Sequence, residues 1–97
     1  MTAARVTVRL PATLRGDVGG LSRLDVDVAE PATLDAVLDT LAGRHPALDR
    51  RLRDERRELR RYVNFYVRGE ECRRLAGGAT EIRDGDEIDI IPSVAGG

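Results

Sequence analysis

The chain has 97 residues, of which 41% are hydrophobic and 34% charged, with a net charge of −1. That length makes one domain, long enough to bury roughly 60–70% of its unfolded surface without disulfides or metals, and the composition excludes a disordered polymer. The small net charge gives no bulk attraction to nucleic acid or anionic membrane, and no segment approaches the ~20 apolar residues of a membrane-spanning helix.

The single cysteine, Cys72, excludes an internal disulfide and suits a reducing compartment. The opening MTAARVTVRL lacks the apolar stretch of a secretory signal, so the expected location is cytoplasmic. All sixteen basic residues are arginine, which a compositional bias of the source genome explains.

From Arg5 to Leu10, Val6, Val8 and Leu10 alternate with Thr7 and Arg9, the pattern of a half-buried strand. PATLRGDVGG reads as a turn-rich connection. Leu24, Val26 and Val28 then alternate with Asp25 and Asp27, so the first two strands form a hairpin with a long loop. PATLDAVLDTLAGRHP predicts a helix. Thr33 is its N-cap, and Leu34, Val37, Leu38 and Leu41 make one apolar stripe. Gly43 is the expected stop and Pro46 the block to continuation. Between Arg50 and Arg61 stand seven arginines, three acids, Leu52 and Leu59. Leu48 to Arg61 therefore reads as a solvated loop or poorly packed helical turn, with a docking patch for an acidic partner as the alternative. Nucleic acid is not expected there, because interleaved aromatic residues are missing.

YVNFYV, from Tyr62 to Val67, predicts a strand with Val63, Phe65 and Val67 inward and Tyr62, Asn64 and Tyr66 outward. A short strand is expected around Cys72 to Leu75, and AGGATEIRDGD reads as loop. Asp84-Gly85 marks a turn before a last strand, Glu87 to Pro92, with Ile88 and Ile90 inward. Segregated strands with a single main helix make an α+β fold.

The sequence closes on PSVAGG. Gly19-Gly20 and Gly77-Gly78 fall in loops, where turn geometry accounts for them. Gly96-Gly97 follows a strand without a polar spacer. His45 beside Pro46, Cys72 without a nearby His, and Asp84, Asp86 and Glu87 before a strand all read as structural. No catalytic set or metal site is expected.

RYVNFYVRGEE, LAGGATEIRDGDEIDIIPSVAGG and LPATLRGDVGG together resemble the ubiquitin-like β-grasp sulfur carriers over nearly the whole chain. That group includes the small subunit of molybdopterin synthase, the thiazole sulfur carrier and the carrier of thiocarboxylate-dependent cysteine synthesis. The length, the glycine-bearing loop after the first strand and VNFYV are most similar to the last of these. The Arg-rich 50–61 insertion departs from the compact forms. The resemblance implies a mixed sheet of four to five strands packed on one main helix, with a β-grasp domain over residues 1–92 and a flexible tail over 93–97.

It further implies a carrier rather than an enzyme. An E1-like adenylating and sulfurtransferase partner would use ATP and a sulfur donor to convert the Gly97 carboxylate to a thiocarboxylate. Val94, Ala95 and Gly96 would thread the partner's channel. The expected acceptor is an activated serine derivative on a pyridoxal-phosphate cysteine synthase, with a molybdopterin precursor on the synthase large subunit as runner-up and another metabolite as a third option. A protein modifier conjugated through Gly97 and a plain interaction module are the competing classes. Tyr62, Tyr66 and Ile91 on the uncovered sheet face are candidate docking residues. The absence of lysine acquires a second reading, that a carrier with an activated acyl end avoids modifying itself.

Overall fold

In the computed structural model, which describes residues 2–93, the alternation of the first third of the chain becomes a hairpin. Strand β1 (Ala3–Arg9) buries Ala4, Val6 and Val8, and β2 (Arg23–Ala29) buries Leu24, Val26 and Val28. The two are antiparallel, with Val6 opposite Val26 and Val8 opposite Leu24. A slip of one residue would turn all of these side chains to the other face, so burial fixes the register. The connection between them is more ordered than a turn. It holds a 3-10 helix, Ala12–Val18, because Leu14 and Val18 lie on one side of it and enter the core. Gly19, at φ 68°, ends that helix in a conformation that favours glycine.

Strand β3 (Ala32–Thr33) leads into helix α1 (Leu34–Arg44). The Thr33 hydroxyl accepts the Ala36 N–H at 3.1 Å, which satisfies one of the unpaired donors of the first turn. Leu34, Val37, Leu38 and Leu41 are buried as their spacing predicts. The expected stop at Gly43 is corrected, since α1 runs through it to Arg44. Pro46 lies just past the end of α1, as expected of a block to its continuation. It opens a second helix, α2 (Pro46–Leu52), at a position where its missing N–H has no helical partner to lose. His45 joins the two: its N–H donates to the Leu41 carbonyl at 2.6 Å and its own carbonyl accepts from Asp49 at 3.2 Å.

The segment Leu48 to Arg61 divides: residues 54–61 form a largely exposed turn and loop as expected, but Leu48 to Arg53 is a correction, because it is a well-packed helix end. Leu48 and Leu52, four residues apart on α2, are completely buried. Arg53 follows and is itself buried, only 3% exposed. Its guanidinium donates from Nε to Asp49 at 2.9 Å and from Nη1 to Asp39 at 2.9 Å, with Asp35 at 3.9 Å. Burial works against the charge, but the hydrogen bonds Arg53 donates to Asp49 and Asp39, with the attraction of those carboxylates, outweigh it and raise the pKa of Arg53. The charge-rich composition thus conceals one cation that ties α1 to α2. Beyond it the chain turns back to bridge Arg53 with Leu59. Asp54 closes that turn by accepting the N–H groups of Arg56 at 2.8 Å and Glu58 at 3.0 Å.

Strand β4 (Val63–Val67) buries Val63, Phe65 and Val67, and β5 (Glu70–Glu71) pairs with its end. The strand expected over Cys72 to Leu75 is instead a 3-10 turn, Cys72–Arg74. The Glu71 carboxylate captures the Arg73 N–H and so withholds it from a ladder. The expected loop of 76–86 carries a 3-10 turn at Gly77–Ala79 and strand β6 (Glu81–Ile82), which pairs antiparallel with β3. Buried Thr80 donates to the Gly77 carbonyl at 2.6 Å, and its own carbonyl accepts the Leu34 N–H at 3.0 Å. A side chain at Gly78 would lie 2.4 Å from the Asp35 carboxylate, so this loop passes tightly over the first turn of α1.

Strand β7 (Glu87–Pro92) completes a mixed five-stranded sheet in the order β2-β1-β7-β4-β5. It runs parallel to β1 and antiparallel to β4, with Ile88 opposite Val8 and Ile90 opposite Phe65. The inward side chains of these strands and the buried residues of α1 and α2 form one core. This is the expected α+β β-grasp arrangement, with a second helix and a small accessory sheet added.

Two expectations follow for the 46–61 segment. Arg53→Ala removes two charge-assisted hydrogen bonds and should lower the unfolding free energy in urea by about 2–4 kcal/mol, with Arg53→Met costing less because it keeps the volume. The N–H of Glu58, and then that of Arg56, hold the Asp54 carboxyl below the usual carboxylate range. Its stabilisation is therefore complete above the ordinary aspartate value of about 4 and lost as pH falls through the lowered one. An NMR titration of that carboxyl carbon should show a midpoint below the ordinary value.

Candidate functional site at the root of the tail

The last described residue is tied to the sheet. Ser93 donates its N–H to the Tyr62 carbonyl at 2.8 Å and its hydroxyl to the Arg61 carbonyl at 3.3 Å. Pro92, opposite Val63, brings no N–H and ends β7 as expected. The residues expected to carry and thread the reactive end, Val94, Ala95, Gly96 and Gly97, lie outside the described residues. The structure fixes where they begin: the end of a central strand, hydrogen-bonded on its β4 side.

Two surfaces meet at this root. On the sheet face opposite the helices, Ile91 pairs across to Asn64 and Tyr66 to Asp89, which makes Tyr66 and Ile91 diagonal neighbours. Ile91 is 47% exposed. Tyr66 is only half-buried rather than open, because it pairs with Glu71 of β5 and shares a hollow with Gly69, Glu70 and Arg74. Tyr62, 57% exposed, lies in the turn before β4, where its carbonyl accepts the Ser93 N–H. It faces a hollow of about 200 Å³ with Thr13, Leu14, Arg51 and Pro92. Tyr66 and Ile91 share the open face, while Tyr62 marks the junction with the helical layer.

The remainder of the open face is charged and internally paired. Arg9 binds Asp89 at 2.5 and 3.1 Å, Arg5 binds Asp27 at 3.1 Å, and Thr7 donates to Asp25 at 3.0 Å. This pairing across β2, β1 and β7 leaves the apolar groups concentrated near Pro92, where Leu10, Pro11 and Ile91 line a second hollow of about 250 Å³.

Sequence reasoning missed the groups that build the root. Arg73 donates from Nη1 to the Val63 carbonyl at 2.9 Å and the Asn64 side chain at 3.0 Å, and from Nη2 to the Arg60 carbonyl. It thereby holds the strand that holds Ser93. The Arg60 guanidinium lies 6.0 Å from the centre of the Tyr62 ring. An arginine gripping backbone carbonyls leaves no periodicity to read. The residues read as structural have structural roles here. Cys72 is fully buried, and burial raises its thiol pKa despite a hydrogen bond from Thr80. Asp84 accepts the Arg5 N–H at 2.8 Å, and Asp86 accepts the Arg83 N–H at 2.7 Å and the Arg68 guanidinium. These acids brace the turn at Gly85, whose φ is 86°.

Comparison with known proteins agrees with this geometry. The ThiS family matches residues 8–97. The sulfur carrier protein CysO of Mycobacterium tuberculosis is 40% identical over 94 residues, covering 95% of this chain and 98% of its own length. Small archaeal modifier protein 1 of Haloferax volcanii is 38% identical over 81 residues, or 84% of this chain and 88% of that one. A chain of the Amycolatopsis orientalis BexX/CysO complex superposes with a TM-score of 0.80 at 38% identity, covering 95% of this chain and 99% of its own. A match from Val8 to Gly97, on a β-grasp sheet with the strand that ends at Pro92 near its centre, establishes that the chain belongs to the ThiS family of ubiquitin-like β-grasp proteins.

Proposed function

We propose that this protein carries sulfur on the end of its tail and delivers it for cysteine biosynthesis. The observation that carries this reading is the coupling of a firmly tied Ser93 to a Val-Ala-Gly-Gly extension, in a chain 40% identical to a protein named as the sulfur carrier CysO. A carboxylate is a poor electrophile and must be activated. An ATP-dependent, E1-like partner supplies that step: the Gly97 carboxylate oxygen attacks the α-phosphate and pyrophosphate leaves. A sulfur nucleophile then attacks the acyl carbon and AMP departs with the oxygen. The resulting thiocarboxylate is anionic at neutral pH, and its nucleophilicity resides in the anion, as for a thiolate.

The residue types suit this role. Four residues beyond Ser93 reach roughly 13 Å when extended, enough to place an acyl group inside a partner while the domain stays outside. Glycines without Cβ pass a narrow channel that excludes the water able to hydrolyse an adenylate. The protein contributes no catalyst to these steps. Its contribution is a tail fixed at one end and the surface around it.

A second reading has its own support. Relatives from Haloferax volcanii are named small archaeal modifier proteins, and an activated Gly97 can pass to an amine as readily as to sulfide. Incubation with an activating enzyme, ATP and sulfide, followed by intact mass measurement, separates the two. Replacement of one oxygen by one sulfur on Gly97 is the expected result. Transfer to amines alone makes the protein a modifier, and no ATP-dependent change rejects both. One bulky residue appended after position 97, without processing, should abolish sulfur loading, and unchanged loading would reject an acyl end at Gly97.

A further inference from the structure

The acids and arginines of the 46–61 segment are unequally placed. Asp49 and Asp39 are engaged by Arg53, and Asp39 also receives Arg57 at 3.3 Å. Asp54 is engaged by backbone N–H groups. Glu55 and Glu58 lie in the turn beyond Arg53. Arg50 and Arg60 share a hollow with Arg53 and Arg57 and with Asp49, Asp54 and Glu55, four cations to three anions, and Arg61 beside Ser93 adds a further cation. Arg60 covers the Tyr62 ring while its Nε donates to the Arg50 carbonyl at 2.8 Å, which brings residues 50, 60 and 62 together. Arg61 is exposed, and its carbonyl receives the Ser93 hydroxyl. Among the described residues, Arg50, Arg60 and Arg61 have no carboxylate within ion-pair distance.

We propose that Arg50, Arg60 and Arg61 form a cationic collar at the tail root that docks on an acidic protein surface rimming the channel into which the partner takes the tail. This rests on the reading of the tail as a threaded substrate. Position argues for a protein rim over a nucleotide, because the nucleotide reacts at Gly97, up to roughly 13 Å further along the chain. One aromatic ring among the arginines does not make the repeated stacking platform of a single-stranded RNA site. The protein as a whole carries a charge of −1, so the attraction is local. Screening over about 8 Å at physiological ionic strength confines it to the last approach, where charge sets orientation and association rate. Guanidinium groups suit this task, since each can grip a carboxylate with two parallel hydrogen bonds.

The test uses Arg50→Glu with Arg61→Glu, the lysine pair at the same positions, and Arg23→Glu on the far edge strand as control. The Arg50 and Arg61 side chains make none of the fold's hydrogen bonds described above, and circular dichroism checks folding. In an NMR titration with a short polyglutamate peptide, the amides of residues 50, 60–62, 73 and 93 should shift. The shifts should vanish in the glutamate pair and persist in the lysine pair. Shifts spread equally to Arg23 and Arg83, no shifts at all, or a stronger response at the same site to oligouridylate, would overturn the collar as an acidic-protein site. In ATP-dependent loading, the carrier concentration giving half-maximal rate should rise about tenfold for the glutamate pair, with the maximal rate unchanged and the dependence on KCl flattened. Arg23→Glu should behave as the natural protein does, and equal behaviour of the two charge reversals overturns the proposal. If the natural protein is not loaded, the sulfur-carrier reading fails, and the titration still decides the collar.

Discussion

Strand β7 is the last element of the described chain and the central strand of its sheet, bonded to β1 on one side and β4 on the other. That placement governs the rest. The Arg9–Asp89 pair joins residues 80 positions apart, so the sheet closes only after nearly the whole chain is in hand. Contacts of that separation are costly to form and are rewarded only by the core they complete. Ile88 and Ile90 supply the reward, buried against Val8 and Phe65 from neighbouring strands. Whatever follows Pro92 therefore starts from the end of a strand set in the middle of the sheet.

The helical layer reaches the same point by electrostatics. Arg53 is taken out of water, which is tolerable only because Asp39 and Asp49 bind it from two helices. Fixing Arg53 fixes the end of α2, and the bridge from Arg53 to Leu59 then aims residues 60–62 at the tail root. Arg73 holds the same residues from the opposite side. A segment that is mostly charge thereby becomes a brace, and its unpaired arginines face outward.

Much of this was legible. The period-2 runs at Val6, Val8, Val26, Val28, Ile88 and Ile90, and the 3.6-period stripe from Leu34 to Leu41, gave the strands, the main helix and their inward faces, because burial on one side writes itself into spacing. The turn at Asp84-Gly85 and the cap at Thr33 were legible through local chemistry. What escaped depended on contacts between distant positions. Arg53 looks like its solvated neighbours until Asp39 is brought to it. Cys72 looks like a strand residue until Glu71 takes the Arg73 N–H. Pro46 reads as a stop, which it is for α1, and is also the start of α2, since proline obstructs the interior of a helix but fits its first turn. At the site, the outward setting of Ile91 was legible in the alternation of β7, but the hydrogen bonds of Ser93 and the grip of Arg73 were not, for side chain to backbone contacts carry no sequence period.

The burial of Cys72 has a practical corollary. It is the chain's one thiol, fully enclosed in the core beside Thr80. Alkylating or gold-affinity reagents added to the native protein therefore meet an unreactive background. A thiol-like nucleophile detected under those conditions is therefore not Cys72, so the folded protein serves as its own blank for any such group elsewhere on it.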